Sequence, residues 1–82
     1  MEFSYKTKGT CSQLIEISEE NGIIKKVQFY GGCNGNLQGI ARLVEGMKTE
    51  EAINKLKGIR CGFKMTSCPD QLATALEQMK IQ

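Results

Sequence analysis

The chain has 82 residues, 11 of them basic and 9 acidic, with a net charge of +2, four cysteines and no histidine. That length makes one small domain spanning residues 1–82, with a marginal hydrophobic core of the kind that leans on a disulfide, a metal or a partner subunit. The small basic excess excludes a strong counterion-release term and so argues against a nucleic-acid partner, and the lack of histidine excludes a cysteine–histidine nucleophilic pair.

The first 30 residues read as strands. "FSYKT" (3–7) alternates, with Phe3 and Tyr5 on one face. "TCSQLIEIS" (10–18) puts Cys11, Gln13, Ile15 and Ile17 on one face, with Leu14 as the exception. The Asn21-Gly22 pair predicts a tight turn. "IIKKVQFY" (23–30) then alternates again, with Ile23, Val27 and Phe29 sharing a face. These runs predict a three-stranded antiparallel meander with one apolar face.

After Gly31 the period changes. "GGCNGN" (31–36) reads as a glycine-rich loop, and Leu37, Ile40, Ala41 and Val44 follow at helical spacing, with Gly46 suited to the stop. Thr49 is the expected N-cap of a second helix. Glu50 and Glu51 favour its positive end, Lys55 and Lys57 its negative end, and Gly58 ends it. A third helix begins near Pro69, with Leu72, Ala75, Leu76 and Met79 as its apolar stripe. Met47, Met65 and Met79 read as core or core-edge residues. Strands first and helices after argue for an α+β fold, one sheet with three helices packed on one face.

No basic, apolar leader opens the chain, and no apolar run approaches the roughly 18 residues of a membrane span. The expectation is a cytoplasmic protein with no membrane partner, in a compartment where disulfides do not persist. The cysteines then read as metal ligands or redox groups. Their spacing, C-x21-C-x27-C-x6-C, is not that of a zinc finger, but three of the four lie at helix ends. Cys33 precedes the first helix, Cys61 follows the second and Cys68 precedes the third. An all-thiol set of Cys11, Cys33, Cys61 and Cys68 suits zinc or an iron–sulfur cluster equally, and Asp70 is available as a fourth-position or supporting group.

In "TSCPD" (66–70), either Cys68 is the N-cap with Pro69 as first helical residue, or Ser67 is the cap with Asp70 completing a box-like arrangement. Either way, the helix field contributes ~0.3–1 kcal/mol. One pKa unit is ~1.4 kcal/mol, so the dipole alone cannot make Cys68 strongly reactive. "GGCNGN" lacks the Gly-Lys-Ser/Thr of a phosphate-binding loop, which argues against a nucleotide.

The combination of "TSCPD", the upstream "GGC" at 31–33 and four spread cysteines resembles the TSCPD domain family across the whole chain. Domains of that family occur alone or near the C-terminus of cobalamin-dependent ribonucleotide reductases. The resemblance implies metal binding through cysteines, a link to deoxynucleotide synthesis and a protein partner, with a ribonucleotide reductase or a second copy as candidates. At 82 residues there is no room for the reductase catalytic barrel. More distantly, the stretch from Cys11 through Ile53 and "SCPDQLATAL" are similar to iron–sulfur cluster assembly scaffolds, which implies a scaffold-like fold and ligand positions at Cys11, Cys33 and Cys68. The chain has Gln13 where scaffolds carry an aspartate and Ser67 where they often carry a histidine. Cys61 is an additional thiol, favouring a more permanent four-cysteine site. Two further readings stay open: a thiol-redox pair of Cys61 and Cys68, and a metal-free interaction domain with packing cysteines.

Overall fold

A computed structural model describes residues 1–9, 12–32 and 34–81. Three strands come first: β1 (Glu2–Lys6), β2 (Ser12–Glu20) and β3 (Ile23–Gly31). Three helices follow: α1 (Asn34–Val44), α2 (Thr49–Leu56) and α3 (Cys68–Lys80). The strands pair antiparallel in the order β1-β2-β3. The fold is α+β, as the pattern of strands and then helices predicts.

The β2–β3 turn is two residues long, and Asn21 (φ 55°) and Gly22 (φ 80°) are both left-handed. That is the requirement of the turn whose twist matches a hairpin. Inside the sheet the alternation is broken twice. Opposite Ser18 and Glu19 the partners are Lys26 and Ile24, so Lys25 is an extra residue in β3. This bulge changes the parity, and the buried residue is therefore Ile24, not the expected Ile23. A second irregularity between Ser12 and Leu14 leaves Gln13 exposed rather than inward. The parity that placed Cys11 on the inner face is counted across this irregularity, and Cys11 itself lies outside the described residues.

One core joins the two layers. Ile15, Ile17, Ile24 and Val27 from the sheet meet Ala41, Val44, Ala52, Ile53, Leu72, Ala75, Leu76 and Met79 from the helices. Phe3, Tyr5 and Phe29 pack at its edge. The opposite face of the sheet is polar: Ser18 donates to Glu2 (2.7 Å) and Tyr30 to Glu16 (2.8 Å). No helix is long and apolar enough to cross a membrane among the described residues.

The helix limits differ in detail from the expectation. β3 runs to Gly31 and α1 starts at Asn34, so "GGCNGN" is not one loop: its first residue is strand and its last three are helix. Thr49 is the first residue of α2 rather than its cap. Its N–H (2.8 Å) and its hydroxyl (3.2 Å) both donate to the Gly22 carbonyl, so tertiary contact with the hairpin replaces a local cap. Met79 is buried and Met47 lies against the core, but Met65 is exposed. Met65 belongs to the α2–α3 connection, where Phe63 is fully exposed as well.

Leu72 is wholly buried on the α3 stripe. Leu72→Ala is expected to lower stability by about 2–5 kcal/mol, whereas Leu43→Ala, at an exposed position, is expected to change it by less than about 0.5 kcal/mol. Urea denaturation of the two variants checks this.

Candidate functional site

Four residues, Thr66, Ser67, Asp70 and Gln71, form a hydrogen-bonded clasp around the start of α3. Ser67 is the N-cap: its Oγ accepts from the Asp70 N–H (3.1 Å) and donates to the Ile59 carbonyl (2.6 Å). Cys68 is thus the first helical residue rather than the cap, and Pro69 stands in the first turn, where its missing N–H costs nothing. Serine wins the cap because its hydroxyl can accept from the third residue of the helix, whereas a thiol is a weak acceptor.

Asp70 holds the other side of the loop. Its Oδ1 accepts from the Gly58 N–H (2.7 Å), and its Oδ2 accepts from the Thr66 hydroxyl. The Thr66 hydrogen bond first, then the Gly58 N–H, holds the carboxyl below its ordinary value, outweighing partial burial; Lys57 and Arg60 add to the effect. Both oxygens of this sequence-predicted supporting group are therefore engaged with the chain itself. Gln71, buried, was not singled out in the sequence. Its Nε2 donates to Thr66 Oγ1 (3.1 Å) and its Oε1 accepts from the Lys8 N–H (3.0 Å). The signal that could have found it is a glutamine between Cys68 and Leu72, on the shoulder of an apolar stripe.

The clasp draws the β1–β2 connection onto α3. Gly9 there is left-handed (φ 73°), and a Cβ on it would lie 3.1 Å from the Thr66 methyl. The Thr7 N–H donates to the Gln13 carbonyl (3.2 Å), closing the connection at the start of β2.

The predicted ligands fall into two groups. Cys68 is buried, 8% exposed, beneath the clasp. Cys61 is an exposed thiol on the α2–α3 connection. Its N–H donates to the Thr66 carbonyl (3.3 Å) and its carbonyl accepts from Lys64 (3.0 Å), so its backbone is tied within two residues of Cys68. Cys11 and Cys33 lie outside the described residues. Their described neighbours are informative: Ser12 pairs with Gly31. The sheet end that carries Ser12 and Gly31 also carries the end of β1, next to the Lys8–Gln71 bond. Among the described residues, no three cysteine, aspartate or glutamate side chains cluster as a metal site.

The family model of the TSCPD domain matches residues 3–80. No curated protein and no solved structure matches the chain.

Two predictions test the clasp. Gly9→Ala is expected to destabilise the fold, because it combines a left-handed backbone with a tight contact; a lowered thermal midpoint with amide shifts at Thr66 and Gln71 checks it. For Asp70, the depressed folded value means that its contribution is present above the ordinary carboxylate range and is lost as pH falls through the folded value. Asp70→Asn is expected to cost about 1–2 kcal/mol at pH 7. The gap to the wild type should close as the pH is lowered through and below the carboxylate range, which denaturation at a series of pH values measures.

Proposed function

The chain belongs to the TSCPD domain family, and on that footing we infer that it is a small metal-binding accessory module whose thiols Cys11, Cys33, Cys61 and Cys68 hold zinc or an iron–sulfur cluster. Its partner on this reading is a protein, with a ribonucleotide reductase as the one the family implies. The observation that carries the reading is the convergence of chain segments. The clasp ties the backbone of Cys61 and the start of α3 to the β1–β2 connection. The Ser12–Gly31 pair brings the described neighbours of Cys11 and Cys33 to the same end of the sheet.

The donor chemistry fits. An all-thiol set with no imidazole in the chain suits zinc and iron–sulfur equally. When bound, such a centre keeps its thiols as thiolates and cross-links the segments that carry them. Asp70 serves this site by holding the 58–66 loop in place, since its oxygens receive Gly58 and Thr66. Ser67 orients the first turn of α3 and with it Cys68.

One observation favours a second reading, a metal-free interaction domain: Cys68 is buried at the edge of the core, as a packing cysteine would be. A Cys33→Ser/Cys68→Ser double variant separates the two. A structural centre contributes ~10–16 kcal/mol in small zinc domains, so on the metal reading the double variant unfolds, and on the packing reading it stays folded.

Metal analysis and a visible spectrum of untagged protein purified without oxygen test the leading reading directly. We expect close to one equivalent of zinc in a colourless protein, or iron with a brown charge-transfer spectrum. Less than about a tenth of an equivalent of either, against the near-stoichiometric loading of a structural site, overturns it.

A further inference from the structure

Of the seven large apolar residues exposed on the described surface, three stand together on the α2–α3 connection: Ile59, Phe63 and Met65, with Phe63 wholly uncovered. The connection that carries them has a built shape. The Cys61 N–H donates to the Thr66 carbonyl (3.3 Å) and closes its neck. The Lys64 N–H donates to the Cys61 carbonyl (3.0 Å) and closes a turn, with Gly62 (φ 60°) and Phe63 at its two corners. Phe63 is therefore at the tip. Below the neck, the Gly58 N–H and the Ile59 carbonyl are bonded to Asp70 and Ser67. A tip fixed in this way has little freedom left to lose when it docks.

Cations interleave with the apolar residues. Arg60 and Lys64 are exposed in the connection, and Lys57 precedes it. The two acids placed against this end are already occupied. Asp70 accepts from Gly58 and Thr66, and Glu77 pairs with Lys57 (2.7 Å). Among the described residues Arg60 and Lys64 make no ion pair.

We propose that this tip docks the domain reversibly on an anionic lipid surface, with Phe63 and Met65 entering the headgroup–acyl boundary and Arg60 and Lys64 at the level of the phosphates. The charges are complementary: anionic leaflets attract exposed lysine and arginine near the surface. The footprint selects lipid over a protein surface. A specific protein interface takes roughly 20–30 residues a side, and the connection from Gly58 to Thr66 is a narrow turn closed at its neck. A lipid phase needs no minimum area, because each buried apolar chain and each cation adds its own increment. A residue that lies in the interface spans nothing, so no membrane-crossing helix is required. The docking uses no thiol, goes beyond the metal reading and stands whether or not metal is bound.

The test is co-sedimentation of the full chain, kept reduced so that Cys61 forms no cross-link, with vesicles of phosphatidylcholine containing about one-third phosphatidylglycerol. We expect binding no tighter than the roughly 10⁴ M⁻¹ of a single acyl chain. It should weaken at least about tenfold on pure phosphatidylcholine, and fall steeply as salt rises from about 50 to about 500 mM. Phe63→Ser is expected to weaken it about tenfold or more, and Arg60→Glu/Lys64→Glu by at least as much. Unchanged amide shifts outside residues 57–67 show that these variants are folded. Lys25→Glu/Lys26→Glu makes the same change of charge on β3 and should leave binding within about twofold. No sedimentation with millimolar lipid, wild-type binding by Phe63→Ser, or an equal loss in the β3 variant overturns the proposal. So does a concentration-dependent dimer that Phe63→Ser abolishes, because it assigns the tip to a second copy.

Discussion

The Asp70 carboxylate receives two donors that lie eight residues apart in the chain, the Gly58 N–H and the Thr66 hydroxyl. An ionised carboxylate can only accept, so it gathers donors from both ends of the α2–α3 connection and closes a loop that has no strand or helix of its own. The neighbouring Ser67 adds a second closure through the Ile59 carbonyl. Gln71 extends the network to Lys8. The placement of Cys61, of the first turn of α3 and of Lys8 all depends on this small set of bonds, and its side chains Thr66, Ser67, Asp70 and Gln71 are buried or half-buried, where an unmet partner is costly.

The clasp also explains how a chain this short tolerates an exposed loop. Phe63 and Met65 point to solvent, yet the loop that carries them is bonded at Gly58, Ile59, Cys61 and Thr66. The core beneath is built without them, from two strands and three helices. At the far end of the molecule the Gly22 carbonyl does a similar job for α2, receiving both donors of Thr49, and the Lys80–Glu50 ion pair joins α3 to α2 there. An exposed ion pair of this kind contributes little by itself, so the backbone bonds and the buried stripe set the helix positions.

Two bulges shape the sheet. Lys25 is the residue that lets Ile24 and Val27 point inward together, and it sits where the edge of β3 stops being covered by the 46–47 turn. The irregularity at Ser12 and Leu14 turns Gln13 outward just after Cys11. At each of the two positions one strand carries an extra residue, which locally bends it and increases its twist.

Much of the molecule is legible in its sequence. Period-two runs, an Asn-Gly turn, two amphipathic stripes and the charge pattern of the second helix are local signals, and local signals determine element type, order and the α+β class. The stripe Leu72, Ala75, Leu76 and Met79 is buried as its spacing requires, and "TSCPD" with the upstream "GGC" and four spread cysteines carries the resemblance to the family that the chain belongs to. Only the tertiary structure decided the rest. Ile24 rather than Ile23 enters the core because a bulge depends on the partner strand, and Thr49 caps nothing because the Gly22 carbonyl, 27 residues away, is its partner. Asp70, Thr66 and Gln71 form one network because folding brings Gly58 and Lys8 to them, and no periodicity within a single segment encodes a bond between segments that distant.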